Sequence, residues 1–124
     1  MKTSYSPYLD QLAEKESQAL QTFVAQVQHH FPNQIRAILL FGSRARGDAT
    51  VNSDMDLLIV MPTVDLETRQ AIRHIATEIW LTDGFYLSTR IWSEAHWQEH
   101  AELQTMFYHN LQQDAVSVLD AVPA

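Results

Sequence analysis

Asp54 and Asp56 stand two residues apart at the start of an apolar run, residues 55–61 (MDLLIVM). In a strand, residues i and i+2 face the same way. Both carboxylates then point to one side, a few ångströms apart. Two like charges that close repel unless a cation lies between them. Hard oxygen donors of this kind suit Mg²⁺ or Mn²⁺. Ten residues separate Asp54 from Gly42-Ser43, which closes a second apolar run, residues 35–41 (IRAILLF). Glycine lets a ligand approach the backbone and permits unusual dihedrals. Ser43 offers a hydroxyl and an N–H where a short helical turn is expected, and free N–H groups there bind phosphate. Arg44 and Arg46 add positive charge beside it. A phosphate cradle facing a paired-carboxylate metal site is what nucleotidyl transfer needs. The metal holds the triphosphate and neutralises charge at phosphorus.

These groups need elements to position them. Leu20, Phe23, Val24, Val27 and Phe31 fall on one face of a helix expected over 8–31, ended by Pro32-Asn33. Residues 35–41 read as a buried strand and 42–53 as a polar, turn-rich segment. Residues 55–61 form a second strand, stopped by Pro62. Asp65 caps a helix over 66–81 with Ile72, Ile75, Ala76 and Ile79 inward. Thr82-Asp83-Gly84 is a turn. Residues 85–92 (FYLSTRIW) are a third strand, 94–113 are helical with a break near 101–104, and 115–119 suit a short strand. This order predicts an α/β (α+β) fold: a mixed sheet of about four strands with packed helices.

Length and composition agree. The 124 residues (14.2 kDa) are expected to form one domain, 1–124. Hydrophobic residues make up 46% and charged residues 19%, which suits a packed core rather than disorder. Eight Lys/Arg face fifteen Asp/Glu, a formal charge of −7 that argues against direct DNA or RNA binding. Cysteine is absent, which excludes disulfides and zinc–thiolate sites and fits a reducing compartment. The longest apolar run, Ala37 to Phe41, is too short for a membrane span. The first residues lack the apolar core of a secretory signal. The expected location is the cytoplasm.

The stretch FGSRARGDATVNSDMDLLIV resembles the signature of the minimal nucleotidyltransferases, the small branch of the DNA polymerase β-type superfamily. The pattern is Gly-Ser, ten residues, Asp-x-Asp, with apolar strands on both sides. The resemblance implies that Gly42 and Ser43 hold the phosphates of an NTP, usually ATP. It implies that Asp54 and Asp56 bind Mg²⁺ and serve in catalysis. It also implies a partner, since many such proteins are antitoxins of HEPN-domain toxin ribonucleases, and some transfer AMP onto the toxin. Active members carry a third carboxylate on a later strand. Here that strand, 85–92, holds no acid, and Ser88, Thr89 or Arg90 takes the place. Asp83 and Glu94 flank it, one suited to a turn and the other to a helix first turn.

Two readings follow. One is an enzyme that transfers AMP from ATP to a hydroxyl of a partner protein. The other is a catalytically impaired nucleotide-binding module that neutralises its partner by covering it. A small-molecule acceptor is a weaker third reading, because such enzymes usually carry an extra domain. Among the remaining features, His96 to His100 (HWQEH) matches an H-x-x-E-H zinc pattern, but a surface helix carrying two histidines is the simpler account. His29 and His30 suit a helix C-terminus. Trp80, Trp92 and Trp97, with Met106-Phe107-Tyr108, suit core packing or a partner-binding face.

Overall fold

A computed structural model describes residues 14–46 and 54–119. Helix α1 (Glu14–His30) buries Ala19, Leu20, Phe23, Val24 and Val27, the stripe that the 3.6-residue period predicts. Phe31 packs partly buried against the same core. The expected residues 8–13 of this helix lie outside the described residues. Asn33 adopts a left-handed φ of 62° and turns the chain. Strand β1 (Ala37–Phe41) starts two residues later than expected, although the Arg36 N–H already donates to the Val60 carbonyl at 2.8 Å. A one-turn helix α2 (Ser43–Arg46) follows, then strand β2 (Met55–Met61).

Helix α3 (Leu66–Asp83) is bounded by two caps. The Asp65 carboxylate accepts from the Thr68 N–H at 2.8 Å. Gly84, at φ 81°, donates its N–H to the Trp80 carbonyl. That closure draws Thr82 and Asp83 into the last turn, so α3 outruns the expected 66–81. Ile72, Ile75, Ala76 and Ile79 are buried, as the pattern requires. Strand β3 (Leu87–Ser93) leads directly into α4 (Glu94–Leu103), with the Ser93 hydroxyl accepting from the His96 N–H at 3.1 Å. The break expected near 101–104 falls at Gln104, whose φ is 51°. Thr105 then caps α5 (Met106–Asp114). Strand β4 (Val116–Ser117) is shorter than the expected 115–119.

The four strands lie in the order β3-β2-β1-β4. β1 pairs antiparallel with β2 and β4, and β2 pairs parallel with β3. The fold is therefore mixed α/β, as expected. The two sheet faces bury different cores. Ile38, Leu40, Leu57, Ile59 and Ile91 face α1 and α3. Leu39, Leu58, Val60 and Trp92 face the other way, toward Leu111 of α5. Asp56 lies on this second, smaller face, in register with Phe41.

The H-x-x-E-H histidines pack beside Trp92 at the rim of this core, His96 exposed and His100 half-buried, on the surface helix that the sequence suggests. Trp92 stacks on His100 at 4.2 Å between ring centroids and meets His96 edge-on at 4.8 Å. His100 Nδ1 lies 2.8 Å from the Thr105 hydroxyl, which ties the α4–α5 junction. Among the described residues, no group of three His, Asp or Glu side chains is placed to hold a metal. Of the three tryptophans, Trp92 is buried and Trp97 packs against the second core, whereas Trp80 is about half exposed. Trp92→Ala should destabilise the fold by about 3–5 kcal/mol in urea unfolding. Glu94→Ala should cost less than about 1 kcal/mol, because its 2.6 Å pair with Arg36 is solvent-exposed.

Candidate active site

The antiparallel register decides where Gly42 lands. Phe41 is level with Asp56. The chain therefore leaves β1 at Gly42, beside the entrance of β2. Gly42 has φ 77°, which non-glycine residues rarely adopt. A Cβ there would collide with Asp56 Oδ2 and lie 3.3 Å from its Cγ. The sequence suggests that glycine makes room for a ligand. The structure puts the Asp56 carboxylate itself against the backbone at that point.

From Gly42 the chain enters α2, where the Arg46 N–H donates to the Gly42 carbonyl at 3.2 Å. A first helical turn leaves its leading N–H groups without helical acceptors. Here those belong to Ser43, Arg44 and Ala45. Ala45 is buried and pins the turn to the larger core. Ser43 is half-buried and Arg46 exposed. The side chain of Arg44 and residues 47–53 lie outside what the structure describes.

Asp54 is exposed just before β2, and Asp56 is half-buried within it. Burial raises the Asp56 carboxyl above its ordinary value of 3.8, and the charge of Asp54 raises it further. Arg90 and Arg46 oppose both effects. Asp54 is thus near enough to act on Asp56. The folded protein holds the Asp56 proton more tightly than the unfolded chain does. Stability therefore falls as pH rises from 3.8 through the raised value, and the cost is full above it. A divalent cation shared by the two carboxylates would remove that repulsion, so this donor pair fits Mg²⁺ or Mn²⁺.

The parallel register places the third strand. Ser88 is level with Asp56 and Arg90 with Leu58. Both belong to the Asp56 face. Thr89 is level with Leu57, whose side chain enters the opposite core. Of the three residues that could replace a third acid, Ser88 and Arg90 are therefore the ones on the site's face. The Arg90 guanidinium lies over the Phe107 ring at 5.1 Å. Phe107 is braced by Phe41 at 5.5 Å and Trp92 at 5.4 Å. Sequence alone places Phe107 in an aromatic cluster; its role in seating Arg90 emerges only from the packing of α5 on the sheet. The flanking acids are elsewhere. Glu94 bonds Arg36 at 2.6 Å, and Asp83 lines a separate recess with Lys15.

Two measurements check this geometry. Gly42→Ala should cost about 1–2 kcal/mol of left-handed strain in any background. With Asp56 present it should cost more, giving a coupling of about 0.5–3 kcal/mol in a cycle with Asp56→Ala. Without divalent metal, Asp56→Asn should raise the melting temperature at pH 7, and the gain should vanish as pH falls toward 3.8.

Comparison with known proteins places the chain in a family. The family model described as a nucleotidyltransferase domain matches residues 20–106, which include Gly42, Ser43, Asp54 and Asp56. A protein of Methanocaldococcus jannaschii is 35% identical over 79 residues, 64% of this chain and 75% of its own length. It carries the name "Putative protein adenylyltransferase". A crystal structure from Sulfolobus solfataricus, described as that of a "putative nucleotidyltransferase", superposes with a TM-score of 0.52 at 18% identity. It covers 92% of this chain and 87% of its own, and supports the fold. A toxin–antitoxin MntA–HpeT structure covers 86% of this chain and 71% of its own. Its identity to this chain is 15% and its TM-score 0.49. With the family model matched over most of its length, the chain belongs to the nucleotidyltransferase domain family.

Proposed function

We propose that residues 1–124 form a single minimal nucleotidyltransferase domain that transfers AMP from ATP to a hydroxyl of a partner protein. The observation that carries this reading is the like-charged pair Asp54 and Asp56, one of them half-buried against Gly42. Such an arrangement is costly without a cation and useful with one. Asp54 and Asp56 are the metal ligands and the catalytic residues. Mg²⁺, or Mn²⁺ in its place, would supply charge neutralisation at the triphosphate. Gly42 and Ser43 seat the terminal phosphates through backbone N–H groups and the Ser43 hydroxyl. Arg46, with Arg44, stabilises negative charge on the phosphates.

The balance of the step is simple. The acceptor oxygen forms a bond to the α-phosphorus of ATP. The bond from that phosphorus to the oxygen bridging the α- and β-phosphates breaks, and pyrophosphate leaves. The hydroxyl proton passes to solvent. The name of the Methanocaldococcus jannaschii relative supports a protein acceptor. The motif's resemblance to the minimal nucleotidyltransferases supports a HEPN-type toxin as that acceptor, and hence an antitoxin acting in the cytoplasm. No helix among the described residues is long and apolar enough to cross a membrane.

One observation favours the second reading, a module that neutralises its partner by binding alone. Ser88 and Arg90 stand on the site's face where a third carboxylate is expected. Intact-mass spectrometry of a mixture of this protein, Mg-ATP and the HEPN-type protein separates the two readings. Transfer adds one or more AMP units to the partner, and the Asp54→Asn/Asp56→Asn variant adds none. A stable complex with no added mass would support neutralisation by binding.

A further inference from the structure

The outer edge of β3 carries a second feature. β3 ends the sheet, and among the described residues it pairs only with β2. Every second backbone N–H and C=O along it therefore faces outward. A cleft of about 470 Å³ runs beside this edge and touches five consecutive residues, Thr89 to Ser93. That is about 16 Å of extended chain.

The cleft is cationic in an acidic protein. Arg69, Arg73 and Arg90 line it, three of the six arginines in a chain of formal charge −7. His96, paired with Glu99 at 3.6 Å, also lines it, and among the described residues no carboxylate does. Arg69 and Arg73 sit four residues apart on α3, a spacing at which like charges weaken a helix. Arg69 and Arg73 come from α3, which covers the larger core face. Arg90 and His96 lie on the Asp56 side. The positive charge thus brackets the edge from both faces.

We propose that this edge is the docking site for an extended, acidic segment of the acceptor protein, which adds to the sheet as a further strand beside β3. The proposal rests on the transfer reading for the purpose of docking, not for the binding itself. Alternate side chains of an added strand fall toward Arg69 and Arg73 on one face and toward Arg90 on the other. Acidic residues on either face meet a cation. The edge amides and carbonyls supply the backbone pairing, which a peptide can return and a nucleic acid cannot. The position also serves the chemistry. Ser88, one residue before the cleft, is level with Asp56, and Arg90 both lines the cleft and acts on Asp56. A segment following β3 toward its start is led to the aspartates.

The test uses a fluorescein-labelled peptide of alternating Glu and Val and the full chain, without nucleotide or metal. Fluorescence anisotropy should show saturable binding. Arg69→Glu/Arg73→Glu should weaken it at least about tenfold. Methylating alternate peptide amides should also weaken it, because backbone pairing is lost. Arg69→Gln/Arg73→Gln, a milder change, should give an intermediate loss with an unchanged circular dichroism spectrum. Equal binding by the charge-reversed variant or by the methylated peptide would overturn the proposal. So would absence of peptide binding, or displacement of the peptide by single-stranded RNA at equal charge. If the peptide binds but AMP transfer by the wild type fails, the transfer reading falls and the docking site stands. If transfer proceeds without peptide binding, the docking site alone falls.

Discussion

The contact between the Asp56 carboxylate and the backbone of Gly42 is the constraint on which the candidate site depends. It needs a residue without Cβ at Gly42, a left-handed φ there, and the register that sets Phe41 against Asp56. That register is held by two apolar strands whose side chains alternate between two cores. A slip of one residue would turn Asp56 into the α1–α3 core and Leu57 toward the site. The leucines and isoleucines of β1 and β2 therefore act on the chemistry from a distance. They hold one carboxylate at the mouth of the sheet, beside the turn that offers N–H groups.

The electrostatics at that mouth are finely opposed. Burial and Asp54 push the Asp56 proton on, and Arg90 and Arg46 push it off. Arg90 is not a casual neighbour. It lies over Phe107, which Phe41 and Trp92 brace, so the second core fixes a positive charge near the aspartates. In place of a third carboxylate the site presents a serine and an arginine. That exchange reduces the negative charge available to a metal and adds a group suited to phosphate. In the proposed site, two carboxylates hold the cation and arginines share the burden of the triphosphate's charge.

Much of this was legible in the residues. The first three strands follow from apolar runs cut by Gly42, Pro62 and Gly84, and α3 follows from Asp65 and its isoleucine stripe. Those signals are local, and local signals survive folding. The paired aspartates were legible for the same reason, since alternation within one strand needs no partner. Other features depend on where separate elements meet. The purpose of Gly42 needs the β1–β2 register, and the choice among Ser88, Thr89 and Arg90 needs the β2–β3 register. The convergence of Arg69, Arg73 and Arg90 joins a helix to a strand, and no spacing in the sequence announces it. The H-x-x-E-H pattern reads as a surface helix rather than a zinc site, and its histidines do lie at the surface, against the Trp92 ring.

In the proposed function, everything turns on whether Asp54 and Asp56 jointly hold a divalent metal with a nucleotide. Electron paramagnetic resonance of Mn²⁺ tests it without relying on turnover or on a partner. Titrating the protein into Mn²⁺ and ATP should deplete the free Mn²⁺–nucleotide signal with wild type, and Asp56→Asn should bind at least about tenfold more weakly. Equal depletion by wild type and Asp56→Asn, with both proteins folded, would show that Asp56 is not a ligand of the metal.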